Sequence, residues 1–339
     1  MKLFTTLGLL LCLLVFALVC GLNWGSGNAS LLSALNEGEE SLSGRIVFDI
    51  RAPRVLLALA IGMGLSSVGA VFQGMLRNPL ADPYILGVSG GASVGVVIAV
   101  ALGLGGAIAG VSLLPAAAFL GALFSVSIIY TLARLLPGGI RGPYAVYTLL
   151  LAGVVFNALA MAVVMVLHSL MAPIDSQQVL FWMMGSLSVG RLSEGEYWSV
   201  ILIILLGTSW LVFRSGRLNL LAMGDDVARS LGLRVGASRM LFFVISSAIV
   251  GAAVAASGMV GFVGLVVPHA IRLLLGADNR LLVPAAALGG GVFMVFSDLL
   301  SRVSFHLFHS TLPVGVVTAF VGVPCFFMFL VKGLKSRNG

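Results

Sequence analysis

Residues 145–168 read AVYTLLLAGVVFNALAMAVVMVLH, 24 consecutive positions without Asp, Glu, Lys or Arg. An α-helix rises about 1.5 Å per residue, so a helix of this length exceeds the roughly 30 Å hydrocarbon core of a bilayer. Such a helix has no polar face to present to water. The run therefore predicts a transmembrane helix.

Apolar runs of this kind recur along the whole chain. Hydrophobic residues make up 60% of the 339 positions and charged residues 9%, against about 25% charged in soluble domains. The mean hydropathy is +1.14. The predicted spans are 3–22, 55–75, 87–109, 111–133, 145–168, 198–213, 240–257, 259–275, 281–300 and 313–333. The pattern predicts an all-α, polytopic membrane protein with about ten transmembrane helices and one integral membrane domain over 1–339, with turns at Gly110 and Gly258.

The distribution of basic residues predicts the orientation. The first run could be a signal peptide, but it is long enough to span and no small-x-small cleavage site follows, so we interpret it as a retained helix. With a cytoplasmic N-terminus, 14 of the 19 Lys and Arg residues fall in cytoplasmic loops. An even number of spans then places both termini in the cytoplasm.

One cytoplasmic loop, at about 214–239, carries a pattern of its own. Leu220, Met223, Val227 and Leu231 recur at helical spacing, and an Asp pair at 225–226 favours a helix start. The pattern predicts a short amphipathic helix. From the residues alone, a helix lying on the membrane surface and a helix docking a soluble partner are equally favoured.

Several chemistries are missing from the sequence. No Gly-x-x-x-x-Gly-Lys-Ser/Thr loop occurs, because none of the three lysines follows a glycine. Cys12, Cys20 and Cys325 form no metal-binding or disulfide pattern. Most spans lack the buried ionisable group that ion-coupled transporters use, so any energy for transport should come from outside the chain.

Gly87-Val-Ser-Gly-Gly91 matches the Gly-x-Ser-x-Gly pattern of serine hydrolases, with His269 as a conceivable base. This would make the chain an intramembrane serine protease. Gly87, Gly91 and Gly95 also form two GxxxG steps, which are typical of close helix packing. We favour the packing interpretation.

Segments distributed along the chain together resemble the FecCD-like permeases of bacterial ABC importers for iron-siderophore, haem and cobalamin. They are RAPR at 51–54, QGMLRNPLADPYILGVSGGA at 73–92, LAMGDDVARSLG at 221–232, SGMVGFVGLVVPHAIR at 257–272, LPVGVVT at 312–318 and GVP at 322–324. Their order and spacing cover nearly the whole chain.

The resemblance implies an assembly in the bacterial inner (cytoplasmic) membrane. Two permease subunits, in a homodimer or a heterodimer, would surround a central pathway above two ATPase subunits, which bind ATP and Mg, so the permease itself needs no cofactor and no catalytic residue. A periplasmic substrate-binding protein would deliver the ligand.

The resemblance also implies roles for particular residues. Asn78, Leu80, Val146 and Tyr147 would form a cytoplasmic gate. Gly224, Asp225, Ala228, Leu231 and Gly232 would couple to the ATPase. Arg51, Arg54 and Arg302 would dock the binding protein. The rival hypothesis is an ion-coupled secondary transporter of a small metabolite, which would work alone with an ion gradient.

Overall fold

The computed structural model describes residues 2–25, 27, 29–104, 107–108, 111–135 and 145–335. The long helices are α1 Lys2–Asn23, α4 Ala52–Met75, α5 Val88–Ala101, α6 Leu114–Leu135, α7 Ala145–Leu170, α9 Glu194–Arg214, α12 Val235–Ser257, α13 Val263–Leu275, α14 Asn279–Val303 and α16 Val314–Lys335. Each matches one predicted span. The prediction of an all-α polytopic membrane protein is confirmed.

Shorter elements connect these helices. They are α2 Leu31–Glu37, α3 Leu42–Arg45, a π-helix at Ile46–Arg51, α8 Pro173–Met183, α10 Gly216–Met223, α11 Asp225–Ser230, α15 Phe305–Phe308, 3₁₀ turns at Pro83–Leu86 and Val189–Arg191, and two antiparallel two-residue strands, Ala107–Ile108 and Val111–Ser112. The predicted turn at Gly110 lies outside the described residues. The break at Gly258 is present, with a φ of +67°.

Two of the predicted spans are shorter than expected. Helices α5 and α13 have 14 and 13 residues, which gives about 20 Å and is too short to cross a bilayer. Each begins after a residue in the left-handed region, Gly87 with φ +79° and Phe262 with φ +68°. Both runs are apolar beyond their helical part, so hydropathy alone overestimated the two helices.

Helices α4 and α14 form the centre of the bundle, where glycine lets them touch. A Cβ on Gly62 would lie 2.2 Å from the carbonyl oxygen of Gly290, and a Cβ on Gly69 would lie 1.8 Å from that of Gly264 in α13. Small residues in membrane helices permit this backbone contact. In the most apolar stretch of Leu42–Met75, 83% of the positions are buried, whereas 17% are buried in that of Leu150–Leu170, so α4 is central and α7 is peripheral.

The loops divide between two ends of the bundle. We call the end that carries Arg77, Arg217 and Arg280 the inner face, and the end that carries Arg45 and Arg54 the outer face. Side-chain contacts between distant loops agree with this division, since Arg77 reaches Leu221 at the inner face and Arg54 reaches Asp298 at the outer face. Helix α4 therefore runs from the outer face, near Arg54, to the inner face, near Arg77.

Candidate functional site

The inner-face loop folds as two short helices that meet at Gly224. Helix α10 ends at Met223 and α11 begins at Asp225, because Gly224 has φ +119° and ψ 154°, which no helix accommodates. The sequence favours a helix start at the Asp225–Asp226 pair, and α11 begins there, whereas Leu220 and Met223, grouped with Val227 and Leu231 by their spacing, lie in the separate helix α10. We call residues 216–232 the coupling segment.

Asp225 holds the coupling segment to the rest of the bundle. Its carboxylate pairs with Arg239 of α12 at 2.5 Å and with Arg77 at the end of α4 at 3.5 Å. The Arg77 guanidinium also donates to the carbonyl oxygen of Leu221 at 2.7 Å. Arg239 is buried, so the pair with Asp225 is enclosed. Movement of this segment would be transmitted to two long helices.

Part of the surface that the coupling segment presents to solvent is apolar. Met223, Val227 and Leu231 are 65%, 45% and 58% exposed, whereas Ala228 is fully buried. Asp225 and Ala228, both expected to contact an ATPase, thus face their own chain. Met223 and Val227 were missed as site residues, although their helical spacing with Leu231 was visible in the sequence. An exposed apolar cluster is typical of a protein interface.

Gly232 ends the coupling segment with φ +82°, and nothing lies within 4 Å of a Cβ placed there. A side chain at this position would be opposed by the backbone conformation and not by neighbours.

The loop after α4 makes a tight turn at the inner face before it re-enters the bundle. The amide oxygen of Asn78 accepts from the N–H of Leu80 at 3.0 Å, which is an Asx turn. Leu80 is 45% exposed. The turn then leads to Asp82, whose carboxylate caps the 3₁₀ turn at Pro83–Leu86.

Three helices begin at one junction inside the bundle. The Tyr84 hydroxyl accepts from the N–H of Val260 just before α13, and the N–H of Val314, which opens α16, donates to Gly185. Helix α5 starts at Val88, a few residues after Tyr84. Gly264 packs against Gly69, two-thirds of the way along α4, so this junction lies at membrane depth.

A cavity of about 280 Å³ adjoins this junction, and its wall is mainly apolar. Phe181 and Trp182 of α8 and Leu114 of α6 contribute apolar surface, while Gln178 and Ser257 contribute polar groups. None of the described residues that line it is acidic or basic. Helix α8 was not predicted, because it is short and only moderately apolar.

The outer face carries a buried arginine cluster of Arg51, Arg54, Asp298 and Arg302. Arg302 donates to the carbonyls of Gly21 and Trp24 and pairs with Asp298 at 2.9 Å, and Asp298 also pairs with Arg54 at 2.7 Å.

Arg51 belongs to the same cluster and binds only backbone. It donates to the carbonyls of Leu22, Asn23, Gly27 and Ala29. Gly21, Leu22 and Asn23 form the last turn of α1, so two arginines satisfy carbonyls that the helix end leaves free and complement its dipole.

A family model of the FecCD transport family matches residues 9–332. The chain belongs to this family. The hemin transport system permease protein of Yersinia pestis is 38% identical over 98% of this chain and 97% of that one. The vitamin B12 import system permease protein of Vibrio cholerae is 38% identical over 87% of this chain and 86% of its own.

A solved structure agrees with these relatives. It is described as an inward-facing conformation of a metal-chelate type ABC transporter, and it superposes with a TM-score of 0.81 at 30% identity, over 97% of this chain and 99% of that one.

In this FecCD chain, two of the three arginines that were predicted to dock a binding protein are buried. Arg51 and Arg302 are 3% and 4% exposed and are bonded within their own chain. This burial does not favour the docking role that the resemblance implies for Arg51 and Arg302, and that role stays a prediction. Arg54, whose side chain is 21% exposed, still reaches the surface.

The predicted gate is only partly described. Asn78 and Leu80 lie together at the inner face. Val146 and Tyr147 lie in the first turn of α7, and their side chains are outside the described residues. The gate therefore stays a prediction.

The protease hypothesis has no support in the geometry. The Ser89 hydroxyl donates to the carbonyl of Tyr84, and neither ring nitrogen of His269 bonds to any described residue. A nucleophile and base must lie within hydrogen-bonding reach of each other. The glycine steps instead pack α5 on α6, since a Cβ on Gly91 or Gly95 would lie 2.4 or 2.2 Å from an α6 carbonyl oxygen.

Proposed function

We propose that this chain is the channel-forming permease subunit of an ABC importer that moves an iron chelate, haem or cobalamin from the periplasm to the cytoplasm, and that it lies in the bacterial inner membrane. The observation that carries this proposal is the match of nearly the whole chain to the FecCD family and to hemin and vitamin B12 permeases.

The energy would come from partner subunits. The sequence has no Walker A loop, so ATP and Mg would be bound by two ATPase subunits below a pair of permease subunits. The exposed Met223, Val227 and Leu231 supply an apolar contact for the ATPase, and the enclosed Asp225–Arg239 pair connects that contact to α12.

The character of the pathway supports a bulky, coordinatively saturated cargo. The cavity beside the interior junction has apolar walls and no carboxylate. A bare metal ion would need carboxylate or carbonyl ligands to replace its hydration shell. Asn78, Leu80, Val146 and Tyr147 would close the inner end of the pathway.

A periplasmic binding protein would dock at the outer face. Among the three predicted arginines, Arg54 is the one whose partial exposure lets it meet a carboxylate of that partner. Such rim contacts chiefly affect encounter rate and orientation.

Reconstitution tests the proposal directly. The permease and its ATPase are placed in liposomes with the binding protein outside, and uptake of ferric siderophore, hemin and cyanocobalamin is measured with and without internal ATP. We expect uptake of one of these chelates to require both ATP and the binding protein. A Walker A lysine variant of the ATPase is the control and should abolish uptake. Uptake driven by an ion gradient in liposomes that contain the permease alone would instead establish the secondary-transporter alternative.

A further inference from the structure

A second cavity, of about 400 Å³, lies at the inner face where α12 begins. We call it the inner-face cavity. Arg217 of α10 and Arg234 before α12 contribute its basic groups, and Leu220, Leu231 and Leu233 contribute apolar wall. No acidic residue lines it. Its chemistry therefore combines positive charge with hydrocarbon.

The basic side chains of this cavity have no partner in the part of the chain that the structure describes. The guanidinium groups of Arg217 and Arg234 form no hydrogen bond or ion pair with any described residue. The nearby acidic groups are already engaged, because Asp225 pairs with Arg239 and Asp226 pairs with Arg229. Two guanidinium groups are thus left to bind an external anion.

Two further features direct hydrogen-bond donors into the same space. Ser238 is only 5% exposed, lines the cavity, and its hydroxyl bonds to no described residue. Helix α12 has 23 residues, and its N-cap residue Arg234 provides no side-chain cap for the free N–H groups of the first turn. A long helix that starts without a cap attracts anions through those groups and its dipole.

The cavity opens onto an exposed apolar stripe of α12. Ala237, Leu241 and Val244 lie on one face of the helix. Ala237 and Leu241 line the cavity, and Leu241 and Val244 are 43% and 44% exposed. The stripe runs from the cavity toward the middle of a membrane-spanning helix, a depth that a soluble protein does not reach.

We propose that the inner-face cavity binds the phosphate of an anionic phospholipid from the cytoplasmic leaflet, with an acyl chain along the Ala237–Val244 stripe. Basic pockets between transmembrane helices on the cytoplasmic side suit such headgroups. Leu231 and Gly232 form part of the wall and also end the coupling segment. A bound lipid would therefore contact the segment that the ATPase moves.

Native mass spectrometry of the purified full-length chain tests this site. Dioleoyl phosphatidylglycerol and dioleoyl phosphatidylcholine, which share acyl chains, are titrated in parallel. We expect a preference for phosphatidylglycerol. In the double variant Arg217→Gln/Arg234→Gln its affinity should fall about thirtyfold, from about 1 kcal/mol for each basic residue near the membrane surface. Ser238→Leu, which fills the cavity without changing charge, should also weaken binding.

The matched control is Arg134→Gln/Arg280→Gln, two exposed inner-face arginines outside the cavity, and its affinity should stay within threefold of the original. Equal loss in this control, or equal binding of the two lipids, would overturn the proposal. Displacement of the lipid by glycerol 3-phosphate at equal concentration would make this a site for soluble anions and would also overturn it. The proposal would also be overturned if the double variant no longer binds the ATPase subunit but still binds phosphatidylglycerol, since the surface would then be a protein-docking site.

Discussion

At the outer end of the bundle, Arg51 and Arg302 are almost fully buried and donate to backbone carbonyls, whereas at the inner end Arg217 and Arg234 line an open cavity without a partner in the described chain. Arginine therefore stabilises the fold at the outer end, whereas at the inner end its guanidinium group stays available to bind a partner. Burial, and not the number of arginines, distinguishes a structural cluster from a surface that receives partners.

The largest effect should come from the outer cluster. Arg302→Ala leaves the buried Asp298 with Arg54 alone and frees the Gly21 and Trp24 carbonyls, so we expect a loss of about 3–5 kcal/mol of stability. Thermal unfolding of the purified chain in detergent measures it.

The control for that comparison is Arg45→Ala, because Arg45 is exposed at the same face and its side chain bonds to no described residue. It should leave the melting temperature unchanged. Arg302→Lys keeps the charge but has fewer hydrogen-bond donors, so its melting temperature should lie between those of Arg302→Ala and Arg45→Ala. Equal melting temperatures for Arg302→Ala and Arg45→Ala would mean that the outer cluster does not fasten the fold.

A smaller effect is expected at the inner face, where binding of the ATPase and not the stability of the fold should change. Val227→Asp places a charge on the exposed apolar surface of the coupling segment, so the chain should fold normally. Its affinity for the ATPase subunit should fall at least tenfold, or about 1.4 kcal/mol, because the carboxylate must be desolvated at the interface. Pull-down of the ATPase from detergent-solubilised complex measures the loss.

Asp226 supplies the neighbouring control, since its side chain is 99% exposed. Asp226→Asn should bind the ATPase as the original chain does. If Val227→Asp binds the ATPase equally well, the exposed apolar cluster contacts only lipid or solvent.

The smallest effect concerns the hydrogen bond between Asn219 of α10 and Asp278 at the start of α14. Asp278 caps α14 and accepts from Asn219 at 2.6 Å, and these hydrogen bonds hold the pKa of its carboxyl below the usual range. A lowered pKa in the folded state means stability that is present above about pH 4 and lost as pH falls through the folded value.

Asp278→Asn should therefore cost roughly 0.5–1 kcal/mol at pH 7, and the cost should be smaller at pH 3, because the pH there approaches the lowered folded pKa and the original carboxyl begins to be protonated. Unfolding measured at both pH values checks this. If the loss of stability is the same at pH 3, the geometry of the Asp278 side chain and not its charge stabilises the start of α14.

The ten apolar helices could be predicted from the sequence because each carries a long run without charge. The true lengths of α5 and α13 could not, since Gly87 and Phe262 change the backbone direction within a run that remains apolar. The split of the coupling segment has the same origin in Gly224. Gly87 and Gly224 were visible in the sequence, but only the tertiary structure decides which glycine adopts a positive φ, and the positive φ of Phe262 has no signal in its residue type.

The roles of the charged residues were harder to predict. Arg302 is satisfied by carbonyls about 280 positions away in the sequence, a relation that no local pattern reports. The resemblance placed Asp225 against the ATPase, yet its carboxylate is paired with the buried Arg239 of its own chain. Residue type and loop position identified the right segments, and packing decided which side chains in them reach the surface.

The interior junction also bears on how the membrane stays electrically sealed. Helices α5, α13 and α16 all begin there, so the partly positive ends of three helices point into one region at membrane depth, which raises the barrier to protons and metal cations. Each charge crossing the membrane dissipates about 2.3 kcal/mol per 100 mV. A pathway wide enough for a large chelate could then open without loss of the membrane potential.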